Sequence, residues 1–410
     1  MEKVSLAWRN LWRNRRRTII TLAAISFSIM LVQAFHNLSF GVYESMVDSG
    51  VRAGSGHIAI YHTGYLNTRD ESLSFPVASL PEVIEQIPGV VQALPRIYLP
   101  ALAQTSRESR GVVLIGVEPK KERLTNPFLQ NLSDQSMIRK SNSRDAIIGQ
   151  RLLQELQIKP GQKFVVTAQH RDGSLHSELL RVRGIINTGM KDIDSSLILI
   201  GSQRAAMLSG HIGNVHELAI VLKSAWLDRQ VFPEIAKRLV NHPNVEAVNW
   251  EQAMPNLANA IKLDYASQKF IFLIILLIVT IGVINTMLMS VMERMREFGV
   301  ILALGSTPVK LGGLILLEAL ILGCIAALLG SFLGCLATWY LATVGIDLET
   351  FMPETLEFGG VVFDTVLRAN WDIAWMAQIA IYVIGLTVFA ALYPAVKAGR
   401  ISPMEGMRHT

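Results

Sequence analysis

The chain has 410 residues, of which 50% are hydrophobic, and a formal net charge of +5 at pH 7. A mean hydropathy of +0.35 is typical of a protein that keeps part of its length in lipid. Its basic residues are not interleaved with aromatic residues, so the charge indicates attraction to a membrane surface and argues against nucleic-acid binding.

Four stretches of 23 to 28 residues contain no Asp, Glu, Lys or Arg: Thr18–Tyr43, Phe270–Met292, Ala319–Ile346 and Ile373–Val396. About 20 apolar residues in a helix cross the ~30 Å hydrocarbon core of a bilayer. A helix also satisfies its own backbone hydrogen bonds in lipid. The sequence therefore predicts an α-helical membrane protein with four transmembrane helices, one before and three after a large extracytoplasmic domain.

The predicted organisation assigns a role to each segment. In chain order, it comprises a cytoplasmic interfacial helix (1–17), a first span (18–43), an external domain (44–269), a second span (270–292), a cytoplasmic helix (293–305), a third span (311–346), an external loop (347–372), a fourth span (373–396) and a cytoplasmic tail (397–410).

The orientation follows from the short polar segments. Residues 1–17, 293–310 and 397–410 carry Lys and Arg, whereas 347–372 is dominated by Asp and Glu. Because Lys and Arg in short loops favour the cytoplasmic side, both termini are expected inside and the 44–269 domain outside. In a bacterium, this is a multi-pass inner-membrane protein with a periplasmic domain.

Residues 1–17 are expected to form a helix at the membrane surface. Val4, Trp8, Leu11 and Trp12 fall on one helical face, and tryptophans favour the headgroup layer. The segment is expected to be a topogenic anchor, and a helix that lies flat on the cytoplasmic leaflet and packs on the bundle is compatible with that role.

The external domain has the pattern of mixed α/β structure. Alternation and apolar runs predict strands at 56–61, 112–117 and 197–200. Residues 163–168 and 178–186 predict a hairpin around the turn sequence Arg171–Ser174. The two cysteines of the chain, Cys324 and Cys335, both lie in the third span. The external domain therefore has no disulfide and must be held by its own core.

Two similar α–β units occur in this domain, at 81–93 and 233–247, each with a proline at the expected start of a short helix. They favour a first lobe made of 77–117 and 215–250 and a second lobe made of 118–214. Chance similarity between two ordinary helix–turn–strand units is the alternative.

The domain shows no catalytic or metal-binding constellation. Its histidines have no HExxH spacing and no carboxylate at ligand spacing, and they are expected at the surface or in turns: His57, His62, His170, His176, His211, His216 and His242.

The segment after the second span has a distinctive order of residues. Charged residues open it at Glu293, apolar residues follow, Gly305 ends it and Pro308 begins the next helix. A plain linker does not require its large apolar residues, which are expected to bury against the membrane or a partner: Phe298, Val300, Ile301, Leu302 and Leu304.

At this segment, the chain resembles a known family. The Glu-x-Gly-x-x-x-Ala-x-Gly pattern from Glu297 to Gly305 is similar to the coupling segment of FtsX-domain permeases of ABC transporters. The tail has the matching Tyr-Pro-Ala-x-Lys-Ala run at 393–398, then Pro403, Glu405 and Arg408. Further similar segments lie at 116–119, 148–161 and 184–194. The topology and motifs together resemble the FtsX/MacB type, in the lipoprotein-release (LolC/LolE-like) branch.

The resemblance implies porter-like and Sabre-like lobes outside and an ATPase-coupling helix inside. It assigns coupling to Glu293, Arg296, Glu297, Phe298, Gly299, Ile301, Leu302, Ala303, Leu304 and Gly305. It also implies a cytoplasmic ABC ATPase dimer, a second permease copy or paralogue, and a periplasmic chaperone, adaptor or hydrolase as partners.

The chain departs from the family pattern at two places. Many relatives have basic residues at the positions of Ile301 and Leu302. The 169–177 hairpin is short, whereas chaperone-recruiting relatives have an extended hook there.

The sequence contains no G-x-x-x-x-G-K-[ST] motif, so this chain is not expected to bind ATP in a P-loop or to be an enzyme. No cofactor is expected on it. ATP and Mg²⁺ are expected on a separate ATPase subunit, unlike MacB itself, which carries its ATPase on the same chain.

Polar and small residues in the spans predict helix contacts. Asn285 is expected to bond a neighbouring helix, and Gly330 and Gly334 form a GxxxG that packs either within the chain or between permeases. Glu318 is expected at the interface, with a packing or coupling role as the alternative, and His36 is the other ionisable residue near the membrane.

The function predicted from these features is mechanotransmission: ATPase closure displaces the 293–304 helix, and the spans relay the motion to the external domain. Lipoprotein extraction is the first choice of activity and export of a small molecule or peptide the second. An FtsX-like relay that activates cell-wall hydrolases is a different class. An ATP-independent receptor is disfavoured, because the coupling segment would have no purpose.

Overall fold

The computed structural model describes residues 2–224, 227–348, 357–358, 361–362 and 366–400. Half of the predicted 347–372 loop and the tail motif at 403–408 lie outside these residues. The chain divides into two compact units, one built around the long apolar helices and the other on Tyr43–Lys262.

The described helices include four that are long and apolar enough to cross a membrane, as predicted. In chain order the helices are α1 (Glu2–Leu11), α2 (Arg15–Ala53), α3 (Tyr65–Thr68), α4 (Leu80–Glu85), α5 (Pro119–Thr125), α6 (Pro127–Gln130), α7 (Gln150–Glu155), α8 (Lys191–Ser196), α9 (Ser202–Ser209), α10 (Asp228–Arg238), α11 (Trp250–Ala253), α12 (Pro255–Glu293), α13 (Met295–Ala303), α14 (Pro308–Thr343), α15 (Ile373–Ala390) and α16 (Leu392–Gly399).

The strands lie mainly in the Tyr43–Lys262 unit, which is mixed α/β as predicted. In chain order they are β1 (Ile58–His62), β2 (Phe75–Pro76), β3 (Val90–Gln104), β4 (Ser109–Val117), β5 (Asp145–Gly149), β6 (Lys163–Gln169), β7 (Leu175–Ile186), β8 (Leu197–Gly201), β9 (Asn214–Val215), β10 (Glu217–Leu222), β11 (Val245–Asn249), β12 (Ile346–Asp347), β13 (Glu357–Phe358), β14 (Val361–Val362) and β15 (Val366–Leu367).

One long strand, β3, serves two sheets. Its first half pairs with β10 and continues the antiparallel order β11–β1–β10–β3. Its second half pairs with β4 on one side and with β6 on the other, where Ala101 faces Ala168. The ring β3–β4–β8–β5–β7–β6 therefore closes on itself as a six-stranded barrel.

This topology changes the predicted division into lobes. Strand β4 belongs to the barrel and not to the first lobe, because it pairs with β3 and β8. The predicted proline start of the second α–β unit is also wrong, since Pro233 lies inside α10. Pro81 does stand in the first turn of α4. The predicted β6–β7 hairpin is present, with Gln169 opposite Leu175.

In the apolar unit, α2 and α14 approach closely. A Cβ on Gly330 would lie 2.7 Å from the Ile29 Cβ, and one on Gly334 would lie 2.3 Å from the Gln33 Oε1. The two glycines thus contact α2 of the same chain. Of the two predicted uses of the GxxxG motif, this contact matches packing within the chain. Hydrogen bonds follow the same seam, from Ser26 Oγ to the Ala326 carbonyl at 3.1 Å and from Asn37 Nδ2 to Thr338 Oγ1 at 2.9 Å.

Helix α12 contributes less to the bundle. Val283, Met287 and Val291 face inward, whereas Asn285 is exposed and makes no hydrogen bond to another described residue. The expectation that Asn285 bonds a neighbouring helix is therefore wrong within this chain, because the side chain lies on the outer face. The polar contact of α12 with α2 is made instead by Thr286 and Thr21, whose hydroxyls are 3.2 Å apart.

The fourth apolar segment bends at Ala391, which separates α15 from α16. Pro394 follows three residues later. Its ring clashes with the carbonyl of the residue four positions earlier, Ala390, and it has no N–H to donate there, which favours an interruption of the helix at this point.

Candidate coupling site

The short helix α13 connects α12 to α14. It ends where Gly305 adopts a positive φ of 91°, a conformation that glycine reaches without steric cost. Thr307 then occupies the N-cap position of α14 without a side-chain capping bond, and Pro308 stands in the first turn. These boundaries match the predicted stop at Gly305 and start at Pro308. The beginning of the helix is later than predicted, since Glu293 still belongs to α12.

One face of α13 is fixed to the bundle. Phe298 is fully buried in an apolar cluster with Val291, Leu311, Ile315 and Ala395. The expectation that Phe298 buries against the membrane or a partner is therefore wrong, because its own chain supplies the surrounding side chains. Gly299 is buried beside it.

The opposite face of α13 is open and partly apolar. Arg296, Val300, Ala303 and Leu304, called here the exposed stripe, stand at positions i, i+4, i+7 and i+8, so they lie along one side of the helix. Val300 is 45% exposed and Leu304 is 83% exposed. Ile301 and Leu302 are half-buried and pack against the Phe298 cluster.

A buried ion pair lies next to α13. Arg294 Nη1 donates to Glu318 Oε1 at 2.9 Å and to Oε2 at 3.3 Å. Asn10 Nδ2 donates to the same Oε1 at 2.7 Å. The guanidinium of Arg294 also lies 4.8 Å from the centre of the Phe298 ring. Glu318 is only 4% exposed, so its carboxylate is packed inside the bundle, as the packing or coupling alternative predicted.

The N-terminal segment is joined to the same region. Arg13 and Arg17 form ion pairs with Glu297 and Glu293, respectively. These pairs are partly exposed, so each is expected to contribute at most about 1 kcal/mol to stability. The spacing offered a clue, since two arginines four residues apart match two glutamates four residues apart.

Helix α1 packs on α14 through a different face from the one predicted. Ala7 and Leu11 are buried, whereas Val4 and Trp8 are about half exposed at 52% and 47%. The predicted apolar face thus divides in two, because Leu11 is buried in the bundle while Val4 and Trp8 remain exposed. Helix α1 ends at Leu11, so Trp12 lies in the turn before α2.

In the Tyr43–Lys262 unit, three of the seven histidines are not at the surface, contrary to prediction: His57, His211 and His216 are buried. His216 Nδ1 accepts from the Tyr98 backbone N–H at 3.1 Å. Burial lowers the pKa of His57 and of His211 to about 4, and it also lowers the pKa of His216. Among the described residues, no group of three or more His, Cys, Asp and Glu side chains could hold a metal ion.

A second buried ionic cluster centres on Arg96. Its Nη2 donates to Glu122 Oε1 at 2.6 Å, and its Nη1 donates to Glu217 Oε1 at 3.2 Å and to the Gly54 carbonyl. Tyr61 Oη donates to the other Glu217 oxygen at 2.6 Å. The cluster joins the end of α2 to β3, α5 and β10. Sequence reasoning missed it, because the four segments are far apart in the chain.

Comparison with known proteins gives two family matches. Residues 18–237 match the MacB-like periplasmic core domain, and residues 269–403 match the FtsX-like permease C-terminal domain.

Individual relatives are distant but extensive. The lipoprotein-releasing system transmembrane protein LolC of Neisseria meningitidis is 23% identical over 84% of each chain. The pyoverdine export ATP-binding/permease protein PvdT of Pseudomonas putida is 24% identical over 99% of this chain and 59% of its own length. The periplasmic region of MacB from Actinobacillus actinomycetemcomitans superposes on 50% of this chain and 94% of its own, at 11% identity and a TM-score of 0.35.

The core-domain match alone spans more than half of the 410 residues, and the permease match covers most or all of the three long apolar helices that follow it. The chain belongs to the FtsX-like permeases of ABC transporters that carry a MacB-like periplasmic core domain.

Proposed function

We propose that this permease transmits force from a separate cytoplasmic ATPase to its external domain, where a hydrophobic or lipid-anchored client is moved. The observation that carries the proposal is the division of α13 into two faces. Phe298 is fully buried in the bundle, while Leu304 is 83% exposed on the stripe. An exposed apolar stripe favours contact with a partner, and a fixed opposite face allows the motion of that partner to reach the spans.

The buried contacts support a route for this transmission. A displacement of α13 would pull on two contacts with α14. The Arg294–Glu318 pair joins the start of α13 to α14, and the Phe298 cluster joins its buried face to α14. Interiors are close-packed and deform little, so the motion passes to the helices as a shift of rigid elements. The exposed stripe is the proposed ATPase contact, and the remaining predicted coupling residues hold the helix in place.

The proposed orientation keeps both termini and α13 in the cytoplasm, with the Tyr43–Lys262 unit in the periplasm. The support is the excess of Lys and Arg in the 1–17 segment and of Asp and Glu in the 347–372 segment. Helices α2 and α12 each extend over 39 residues, more than the roughly 20 that cross a bilayer. Their excess length suits them to carry motion out of the membrane. ATP and Mg²⁺ are placed on the partner ATPase.

For the client, a lipid-anchored protein is the first candidate. The support is the resemblance to relatives named as lipoprotein-releasing proteins, including LolC of Neisseria meningitidis. Export of a small molecule is the second candidate, because the similarity to the pyoverdine export protein PvdT covers 99% of this chain. Purification in mild detergent distinguishes them: a copurified acylated protein favours extraction, and a periplasmic adaptor without one favours export.

The coupling proposal is tested by reconstituting the permease with its ATPase and measuring stimulated ATP hydrolysis. Leu304→Ser should reduce the stimulation, because it removes apolar area from the exposed stripe without opening a core. Leu175→Ser is the matched control, since Leu175 is also highly exposed, at 73%, but lies in the β6–β7 hairpin of the other unit.

A second variant tests the rigidity of the helix. Gly299→Pro breaks α13 in its middle, at a cost of about 3 kcal/mol or more to that helix, and should abolish stimulation while the protein still reaches the membrane. Full stimulation in both Leu304→Ser and Gly299→Pro would refute the assignment of α13.

A further inference from the structure

The strands β4 and β8 are apolar on both faces. In β4, Val112 and Leu114 point into the barrel core, whereas Ile115 and Val117 point outward. Continuous apolar strands require cover on both sides, because an uncovered face would leave large side chains in water. The barrel core covers one side of these strands.

The outer side is covered only in part. Between the outward faces of β3, β4 and β8, the α6 helix, the 188–193 segment and the end of α2 lies a cavity of about 510 Å³, called here the outer cavity. All of its lining residues belong to the Tyr43–Lys262 unit. Small-molecule sites have volumes of roughly 300–1,000 Å³ and mostly apolar walls with a few polar groups.

The walls of the outer cavity are aliphatic for the most part. They are formed by Ile115, Val117, Ile186, Leu197 and Leu199. Met190 and Met254 complete them, and the flexible thioether side chain of methionine adapts to occupants of different length. Phe128 and Tyr98 are the aromatic rings among the lining residues, so a planar aromatic ligand finds few stacking partners. These walls suit an aliphatic chain.

The charged residues that line the outer cavity, Arg96 and Glu122, form its floor and disfavour a ligand with an anionic head group. Arg96 and Glu122 are the charged side chains among the described lining residues, and they bond each other. Behind them, Glu217 is fully buried against the same guanidinium, so the cluster holds two carboxylates for one cation. A ligand carboxylate or phosphate at this floor would add a further negative charge in a site of low dielectric constant, which costs binding energy.

We propose that the outer cavity binds a long acyl chain that is attached through an uncharged ester or amide. This inference goes beyond the proposed coupling function. Binding requires no ATP and no ATPase, so a failure of the coupling test at Leu304 and a failure of the binding test at Ile115 are independent results.

Photo-crosslinking of the full-length chain in lipid nanodiscs tests the proposal. The probe is a monoacylglycerol with a diazirine on a sixteen-carbon chain, compared with the same chain as a free carboxylic acid, and labelled peptides are mapped by mass spectrometry. We expect the neutral probe to label peptides that contain Ile115 or Leu199. The free acid should label them at least about five-fold less, equivalent to ~1 kcal/mol.

Two tryptophan variants on one strand provide the matched comparison. Ile115→Trp fills the outer cavity and should reduce labelling at least about five-fold, again ~1 kcal/mol. Val113→Trp should not, because Val113 is on the same strand and face, is 42% exposed and does not line the cavity. Leu197→Trp serves in place of Ile115→Trp if that variant loses its wild-type melting temperature.

Competition identifies the source of the chain. Protection by an unlabelled diacylated lipopeptide assigns the site to a lipid-anchored protein, and protection by added phosphatidylethanolamine assigns it to membrane lipid. Protection by neither, labelling confined to peptides of the apolar helices, or equal labelling of wild type and the cavity-filling variant would each overturn the proposal.

Discussion

Arg294 and Glu318 form a buried ion pair, with 2.9 Å between Nη1 and Oε1, at the point where α12 gives way to α13. Arg294 lies in the turn before α13, and Glu318 lies inside α14. The pair therefore joins the start of α13, the helix that the permease is proposed to use for coupling, to α14. Asn10 of α1 contacts the same carboxylate, so three segments of the chain meet at one group.

Removal of one partner of this pair should be strongly destabilising. Glu318→Ala leaves the Arg294 guanidinium without its main acceptor, and the loss should be about 3–5 kcal/mol in free energy of unfolding. Glu293→Ala is the control, because its pair with Arg17 is partly exposed and contributes less than about 1 kcal/mol. Unfolding in a denaturant series measures both, and similar losses would contradict the buried role of Glu318.

Substitutions on the buried face and on the exposed stripe of α13 should have different effects on stability. Phe298→Ala should cost about 3–5 kcal/mol, because it opens a cavity in the cluster of Val291, Leu311 and Ile315. Leu304→Ala should leave the melting temperature unchanged, since Leu304 is 83% exposed. Equal melting temperatures for the two variants would show that Phe298 is not an anchor.

Close packing of α2 on α14 gives a matched pair of glycine substitutions. Gly330→Ala should destabilise the protein by about 1–3 kcal/mol, because the new methyl would meet the Ile29 Cβ at 2.7 Å and the Ser26 carbonyl oxygen at 2.8 Å. Gly313→Ala on the same helix should be tolerated, since no heavy atom beyond its helix lies within 4 Å. Unfolding midpoints in a detergent titration provide the comparison, and equal midpoints would be inconsistent with this contact.

The buried histidines predict lower stability of the Tyr43–Lys262 unit in acid. Burial lowers the pKa of His57 and of His211 from 6.5 to about 4 in the folded state, so the unfolded chain binds more protons between these values. Their contribution is complete above about pH 6.5 and is lost as the pH falls towards 4, with a slope of at most about 1.4 kcal/mol per pH unit for each.

The variant His211→Gln should flatten this dependence. Melting temperatures between pH 8 and pH 4 should converge with wild type or exceed it at the acid end, because one proton-linked loss has been removed. At pH 8 the two proteins differ by the lost contacts of the His211 ring with Ser74 and with the His216 ring. An unchanged slope in the variant would exclude His211 from the acid response.

Local pattern was sufficient for several elements. The four apolar helices follow from charge-free stretches of the sequence, because a helix in lipid needs only length and apolar side chains. The β6–β7 hairpin follows from alternation around Arg171–Ser174, and the end of α13 follows from Gly305. Each of these features depends on residues that are neighbours in the chain.

Tertiary structure decided the barrel, the buried charges and the outer cavity. The closure of β3 on β6, the burial of Glu318 by Arg294 and Asn10, and the meeting of Arg96 with Glu217 all join segments that are distant in sequence. Local hydrophobicity shows that β4 must be covered on both faces, but it does not show that part of one face borders a cavity. Such contacts depend on the pairing of remote strands and helices, for which a single sequence has no local pattern.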